Sequence, residues 1–428
     1  MLAPPPPAAR AIASWDEALS LIRAQSPDYA SSAEGVRRAS AQREIALAAV
    51  LPNAQARAGY THQLLAPLTA TLAGVVGNPS ASPLNLVAFP VVTPPVDNAS
   101  VGGNVAWNVL NPRGLYGLGT ANRALDAEKL SFEDRRRQIA TAAVDAILAT
   151  LAAGRVAELN RVGLRSALER LALTRARLEY GQGTELDVDR ALKDVVASRS
   201  AITTGDEALV RSREALGVVL GSGVPLGPPE GGNLASFEAA VTGTCQLNDD
   251  IERRPDVAAA RLRVEIAERA VRDAQLAFAP SLSLVSGIEY DTQPVIAPST
   301  AWSVGAMLSV PLYDGVRYGV LHDRRAALEQ ARQALVARRI DAVVASAQAH
   351  RAVGVVERTR DEAREQRELA LRIDARTRDG YAKGLGTSLD LVTSAQALRQ
   401  AEIDLAILEF QAGDARANAV LADAECAF

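Results

Sequence analysis

Few side chains in this sequence are of the kind that carry covalent chemistry. His62, His322, His350, Cys245 and Cys426 are its only histidines and cysteines, and they form no cluster with the spacing of a zinc or haem site. Gly181-Gln182-Gly183 lacks the Gly-Lys-Ser/Thr that completes a phosphate loop, and it reads as a turn between helices. No Gly-x-Ser-x-Gly elbow or His-Glu-x-x-His pair is present. The sequence therefore predicts no enzyme and requires neither cofactor nor metal. What remains is non-covalent. Two stretches, Tyr180 to Asp187 and Tyr381 to Asp390, each carry Tyr-x-x-Gly and then Leu-Asp within long helical runs. An aspartate placed there complements the positive end of the helix that follows.

Those turns need elements to hold them, and composition narrows which. Of 428 residues, 48% are hydrophobic but only 4% aromatic, and much of the apolar share is alanine. Alanine favours helix and lets helix backbones approach closely, whereas a compact core needs larger side chains to fill volume. The net charge of −4 gives no clustered basic surface for nucleic acid. Two cysteines cannot make a disulfide scaffold. No uninterrupted apolar run approaches the roughly 18–20 residues of a spanning helix, which argues against a helical membrane protein. Met1-Leu2-Ala3 followed by Pro4 to Pro7 lacks the basic-then-apolar pattern of a secretory signal.

The chain is a duplication. Each half has a helix stopped by proline, Pro52 or Pro280, since proline has no N–H and disfavours helical geometry before it. Strands follow at about 54–62 and 101–110 in the first half, and at about 281–290 and 301–312 in the second. Turn-rich loops separate them, 64–100 and 291–300. Tyr116-Gly117 and Tyr318-Gly319 then open very long helical stretches, about 115–180 and 315–380, each roughly 100 Å if unbroken at 1.5 Å per residue. Leu328, Ala331, Leu335, Ala342, Ala345, Ala349, Ala352 and Val356 form a heptad-like stripe. Leu391, Leu398, Ala401, Leu405, Leu408, Ala412 and Ala415 form another. Narrow stripes of this kind suit helix-on-helix coiled packing. The resulting divisions are a Pro-rich extension 1–13, a first repeat 14–219, a linker 220–250, a second repeat 251–424 and a tail 425–428.

The four strands, about ten residues each, are long enough to cross a bilayer in a barrel. Four cannot close one, and an open edge cannot sit in lipid. Either several chains share a barrel, or the strands form a small soluble sheet.

Three motifs carry a resemblance. They are Arg254-Pro255-Asp256-Val257 opening a helix that ends before Ala279-Pro280-Ser281-Leu282, Leu308-Ser309-Val310-Pro311-Leu312-Tyr313-Asp314-Gly315, and the paired Gly-x-x-Leu-Asp turns. Together and in order, over about 14–424, they resemble the TolC-like outer membrane factors of bacterial tripartite exporters. The likeness is greatest to members that work with RND-type (resistance–nodulation–division) pumps. The resemblance implies an α+β membrane protein and a homotrimer. Each chain would give four strands to a twelve-stranded transmembrane β-barrel in outer membrane lipid, and long coiled helices to a periplasmic α-barrel. A mixed α/β belt would include about 220–250 and both termini. Implied too are passive conduction, a periplasmic adaptor and an inner membrane pump. Alternatives are a duct of a type I protein secretion system and a soluble coiled-coil scaffold without pore activity.

By the same resemblance, Tyr381 matches a tyrosine that locks the periplasmic entrance, Asp187 its acidic partner, and Asp390 a member of an acidic ring in the constriction. A threefold carboxylate ring concentrates negative potential and favours cations. Gly183, Thr184, Gly384 and Thr387 lie at the helical turns where an adaptor docks. Gly386 stands where some members carry an arginine, and Thr393 where a second ring aspartate would be. The first turn, Gly183 to Asp187, reads as two residues shorter than Gly384 to Asp390. These departures predict a gate less tightly latched and less cation-selective. Trp107 and Trp302, at similar positions in the two second strands, fit an interfacial aromatic girdle. Cys245 and Cys426 both fall in the belt, where an oxidising compartment permits a disulfide.

Overall fold

In a computed structural model of the chain, residues 5–62, 64, 68–72, 88–92, 97–228, 234–243, 245–247, 250–292 and 299–426 are described. Strand β1 (Arg10–Ala11) precedes helices α1 (Trp15–Gln25) and α2 (Pro27–Ala48). Strands β2 (Asn53–His62), β3 (Leu68–Leu72), β4 (Ala88–Val92) and β5 (Asp97–Leu110) follow, then helices α3 (Pro112–Glu179) and α4 (Glu185–Leu220). Next come β6 (Leu226–Gly227), α5 (Leu234–Gly243), β7 (Cys245–Leu247) and α6 (Pro255–Leu276). The chain continues through β8 (Ser281–Asp291), β9 (Ser299–Ser309), α7 (Gly315–Ala382), α8 (Ser388–Asp423) and β10 (Ala424–Cys426).

Local chemistry sets the boundaries. Proline opens α2, α3 and α6, a position where its fixed φ is preorganised and its missing N–H costs nothing. The Ser14 side chain caps α1 by accepting from Glu17 N at 3.2 Å. Gly221 ends α4 at φ 76°, against Gln25, whose carbonyl oxygen would lie 2.5 Å from a Cβ at that position. Only glycine fits there. Strand β9 ends at Ser309, short of the expected 312, because Pro311 cannot donate to a ladder.

The duplication is closer than the sequence reading measured it. Helices α3 and α7 both have 68 residues, and α4 and α8 both have 36. Compact packing cuts across the repeats all the same. One unit comprises Met1–Ala39, Ala124–Val264 and Gln330–Phe428; the other comprises Ser40–Arg123 and Glu265–Glu329.

The second unit holds an antiparallel sheet of order β2-β5-β8-β9, with β2 and β9 as edges. Its register sorts side chains by face, since residues directly opposite share one. Tyr60, Val101, Val105, Trp107, Leu284 and Ile288 stand on one face with Trp302, Val304 and Leu308. Gln55, Arg57, Asn104, Ser283, Glu289 and Ser303 stand on the other. Apolar and polar positions thus alternate along most of the sheet, with Val285 and Met307 on the polar face and Ser286 on the apolar one as exceptions. The loop 64–100 contains a further ribbon, β3 paired with β4, which the turn-rich composition hid. Residues 65–67, 73–87, 93–96 and 293–298 of the two loops lie outside the described residues.

In the first unit, Trp15, Leu19 and Ile22 of α1 pack with Ile139, Val144 and Leu148 of α3, Leu216 and Leu220 of α4, Val241 and Leu421. Part of α3 is apolar on average, although Asp145 stands within it and no uninterrupted apolar run of spanning length arises. Over 18 residues its mean hydropathy is 1.5, enough by length and composition to cross a membrane. Alanine raises hydropathy without a visible run of large residues. The 1–13 extension is not a free tail: β1 pairs in parallel with β6 and Ile12 is buried. Strand β10 pairs antiparallel with β7.

Candidate functional site

Each long helix pair is joined by the same turn. Gly181 and Gly384 take φ 71° and 77°, and behind each the backbone closes in the same way. Gln182 N donates to Arg177 O at 2.8 Å, and Leu385 N to Gly380 O at 2.9 Å. This is the six-to-one bond of a glycine-terminated helix. Thr184 and Thr387 then cap the next helices. Asp187 N donates to Thr184 Oγ1 at 3.3 Å, and Asp187 Oδ2 accepts from Thr184 N at 2.9 Å. Asp390 repeats this with Thr387 at 3.2 and 3.1 Å. Gly181 therefore corresponds to Gly384 and Gly183 to Gly386. The turns are equal in length, which corrects the expected two-residue difference. Tyr180, 81% exposed, corresponds to Lys383, while Tyr381, 4% exposed, corresponds to Leu178. Taking tyrosine as the landmark misread the register; the glycine with positive φ is the constrained position.

Around these turns the repeats touch. The Arg177 guanidinium lies over the Tyr381 ring, 4.4 Å from its centroid, and donates to the Tyr381 carbonyl. Ser388 donates to Asp187 Oδ1, and Arg190 approaches both, at 3.3 Å from Ser388 Oγ and 3.8 Å from Asp187. The Ser388 hydroxyl, followed by the Thr184 backbone and side chain and the Arg190 charge, holds the Asp187 carboxyl below its usual range. Burial pushes the Tyr381 phenol up; the Arg177 charge opposes this and the Asp187 charge adds to it. Asp187 and Tyr381 are thus neighbours coupled through charge, with Ser388 and Arg177 as their contact partners. Asp390 is exposed, and the Thr387 hydroxyl and N–H hold its carboxyl low. Thr393 turns its hydroxyl onto the Leu389 and Asp390 carbonyls of its own helix.

Beyond the turns runs a buried polar ladder. Asp194, 1% exposed, accepts from Arg170 at 2.6 Å and from Gln396 at 3.0 Å, and Arg399 donates to Ser198 at 2.6 Å. Arg177, Ser388, Arg190 and Asp194 were all missed by sequence reasoning. Each works across repeats, so local spacing carries no signal for the pairing.

The two tryptophans sit in different rows of the sheet. Trp107 is opposite Leu284 and Trp302 opposite Ile288, four residues apart along β8, or about 13 Å. They share the apolar face but not a similar position. Trp107 donates to Val50 O and Trp302 to Ser286 Oγ, both at 3.1 Å.

An antiparallel sheet with two edges among the described strands, together with paired 68- and 36-residue helices, defines the class: a duplicated α+β chain with very long helices. A family described as "Outer membrane efflux protein" matches residues 247–422. The chain is 25% identical over 409 residues to the pyoverdine export outer membrane protein OpmQ of Pseudomonas putida, covering 92% of this chain and 82% of that one. Its fold is similar to the outer membrane protein VceC of Vibrio cholerae, with TM-score 0.74, 16% identity and 95% coverage of both chains. It is also similar to the open state of the Neisseria gonorrhoeae MtrE outer membrane channel, with TM-score 0.76, 14% identity and 99% and 96% coverage. Residues 247–422 thus match the outer membrane efflux protein family, and the fold along nearly the whole chain is similar to that of outer membrane channels.

Proposed function

We propose that this protein is the exit duct of a tripartite efflux system, a homotrimer that conducts substrates passively from the periplasm to the exterior. The observation that carries the reading is the sheet. Its apolar face is exposed, with Val101 at 58%, Ile288 at 54% and Val304 at 71%, while β2 and β9 are unpaired edges among the described strands. Lipid tolerates the first and not the second, so edges must be closed by further copies. Three copies give twelve strands, with Arg57, Asn104 and Glu289 facing the lumen and Trp107 and Trp302 among the lipid-side aromatics. Helix α7 supports the same reading, because Val336, Ile340, Val343, Val355 and Ile373 lie exposed along it and a neighbouring copy would cover them.

The paired turns are the periplasmic entrance. Asp187 and Tyr381 hold the two helix pairs of one protomer together through Ser388 and Arg177, and Asp390 contributes three carboxylates to a ring at the constriction. Gly183, Thr184, Gly384 and Thr387 form the tips on which a periplasmic adaptor docks, and the inner membrane pump, RND-type by the sequence motifs, supplies the energy. The test is the mass of the detergent-extracted protein by light scattering, followed by planar-bilayer conductance. A protein mass near three times 45.1 kDa with cation-selective conductance is expected; a monomer soluble without detergent would leave only a helical scaffold.

A further inference from the structure

We propose that Cys245 and Cys426 are joined by an intramolecular disulfide in the mature protein. The antiparallel register of β7 and β10 sets Cys426 directly opposite Cys245, with Glu425 opposite Gln246 and Ala424 opposite Leu247. Residues directly opposite in an antiparallel pair have Cα atoms about 4.5 or 5.5 Å apart, inside the range of roughly 4.4–6.8 Å that a disulfide spans. These are the only two cysteines in 428 residues, and they stand far apart in sequence. Their arrival at one rung is the kind of juxtaposition that neither β propensity nor helix packing requires.

The rung is anchored on both sides. Val241, four residues before Cys245, and Leu421, five residues before Cys426, are buried in one apolar cluster with Trp15 and Leu216. Phe237 meets Trp15 edge-on at 5.8 Å. The two backbones are therefore brought together by the core. An outer membrane protein also passes through a compartment in which disulfides form and persist.

The chemistry is thiol–disulfide exchange. One cysteine thiolate attacks a sulfur of a disulfide-bearing periplasmic oxidase, releasing one oxidase thiol and forming a mixed disulfide. The second thiolate attacks the protein sulfur of that bond and expels the other oxidase thiol. Two cysteine thiols lose two electrons and two protons, and the oxidase disulfide gains them. The product closes a loop containing the whole second repeat and ties the end of α8 to the segment between the repeats. Loops of that size are where a cross-link restricts the unfolded chain most.

The test uses the full chain extracted from the outer membrane in detergent, denatured without reductant and offered a maleimide. No adduct is expected, two adducts after reduction, and a peptide map of the unreduced protein that links the segments bearing Cys245 and Cys426. Cys245→Ser and Cys426→Ser should each take up one maleimide without reductant and melt at lower temperature than the parent. If either variant fails to reach the membrane, the adduct count on the parent protein still decides. Two adducts on the unreduced parent would overturn the proposal. So would covalent dimers on a non-reducing gel, since they would place the bridge between copies.

Discussion

The turn between α3 and α4 and the turn between α7 and α8 share a backbone and differ in what their side chains reach. Both use a left-handed glycine, a threonine cap and an aspartate three residues on. In the first repeat Asp187 is also bonded to Ser388 and neighboured by Arg190. In the second, Asp390 satisfies only its own cap among the described residues. The positions explain it: Ser388 corresponds to Glu185, Tyr381 to Leu178 and Gly380 to Arg177. The first repeat supplies cations and a carboxylate, and the second supplies a hydroxyl and an aromatic ring. A duplicated backbone has thus been given complementary halves. The difference teaches that the contact between the repeats belongs to their divergence, while the turn belongs to what they kept.

The largest expected effect comes where that divergence is buried. Asp194→Ala would strand Arg170, which is 7% exposed, and removing one partner of a buried pair costs about 3–5 kcal/mol. The second repeat has its own buried carboxylate, Asp374, which takes Arg378 at 2.7 Å and the Ser394 hydroxyl at 3.3 Å. Arg378 is half in water, with its side chain 49% exposed, and can rehydrate when its partner goes. Asp374→Ala should therefore lower the melting temperature of the detergent-extracted protein distinctly less than Asp194→Ala. Equal losses would erase the asymmetry between the repeats.

Next in size is the proposed latch. Asp187→Ala removes the side chain that answers the Thr184 cap in the capping box, together with its bond to Ser388. It should raise single-channel conductance, and Ser388→Ala should do so to a smaller extent. Asp390→Asn leaves every contact between repeats in place, so it should reduce cation selectivity at nearly unchanged conductance. If both aspartate variants raised conductance alike, the two turns would be playing the same part.

How much of this the sequence carried follows from the range of each signal. Proline stops, strand alternation and the ends of the long helices are local, and they were legible within a few residues. The heptad stripe of α8 was legible too, for Leu391, Leu398, Ala401, Ala412 and Ala415 are all buried. The stripe of α7 was written in the same residue types, yet only Leu335 and Ala342 of it are buried, because much of that face has no cover within one chain. Strands of two or three residues, such as β1, β6, β7 and β10, are too short for any period to show. Arg177 was invisible for a different reason. An arginine on a long charged helix looks like a solvated face until folding brings Tyr381 beneath it.

Tyr381 gives a finer test of the pairing. If the ring serves as a platform for Arg177, Tyr381→Phe keeps the stack and should change conductance little, whereas Arg177→Ala removes a cation–π contact worth about 0.5–2 kcal/mol and should open the entrance more. A larger effect of Tyr381→Phe would mean that the hydroxyl, and not the ring, is the latch.

The smallest expected effect is set by protons. The Asp187 carboxyl is held below 3.8, first by Ser388, so the ionised form is the one the folded latch favours. Its contribution is fully present above the ordinary carboxylate range and is lost as pH falls through the lowered folded value. The Asp390 carboxyl is lowered as well, by Thr387 alone, so its protonation frees a cap and no contact between repeats. Conductance of the parent channel should therefore rise slightly as pH drops below about 4, and Asp187→Asn should abolish the rise while Asp390→Asn keeps it. A rise that survives in Asp187→Asn and disappears in Asp390→Asn would move the acid-sensitive contact to the second turn and reverse the roles assigned to the two repeats.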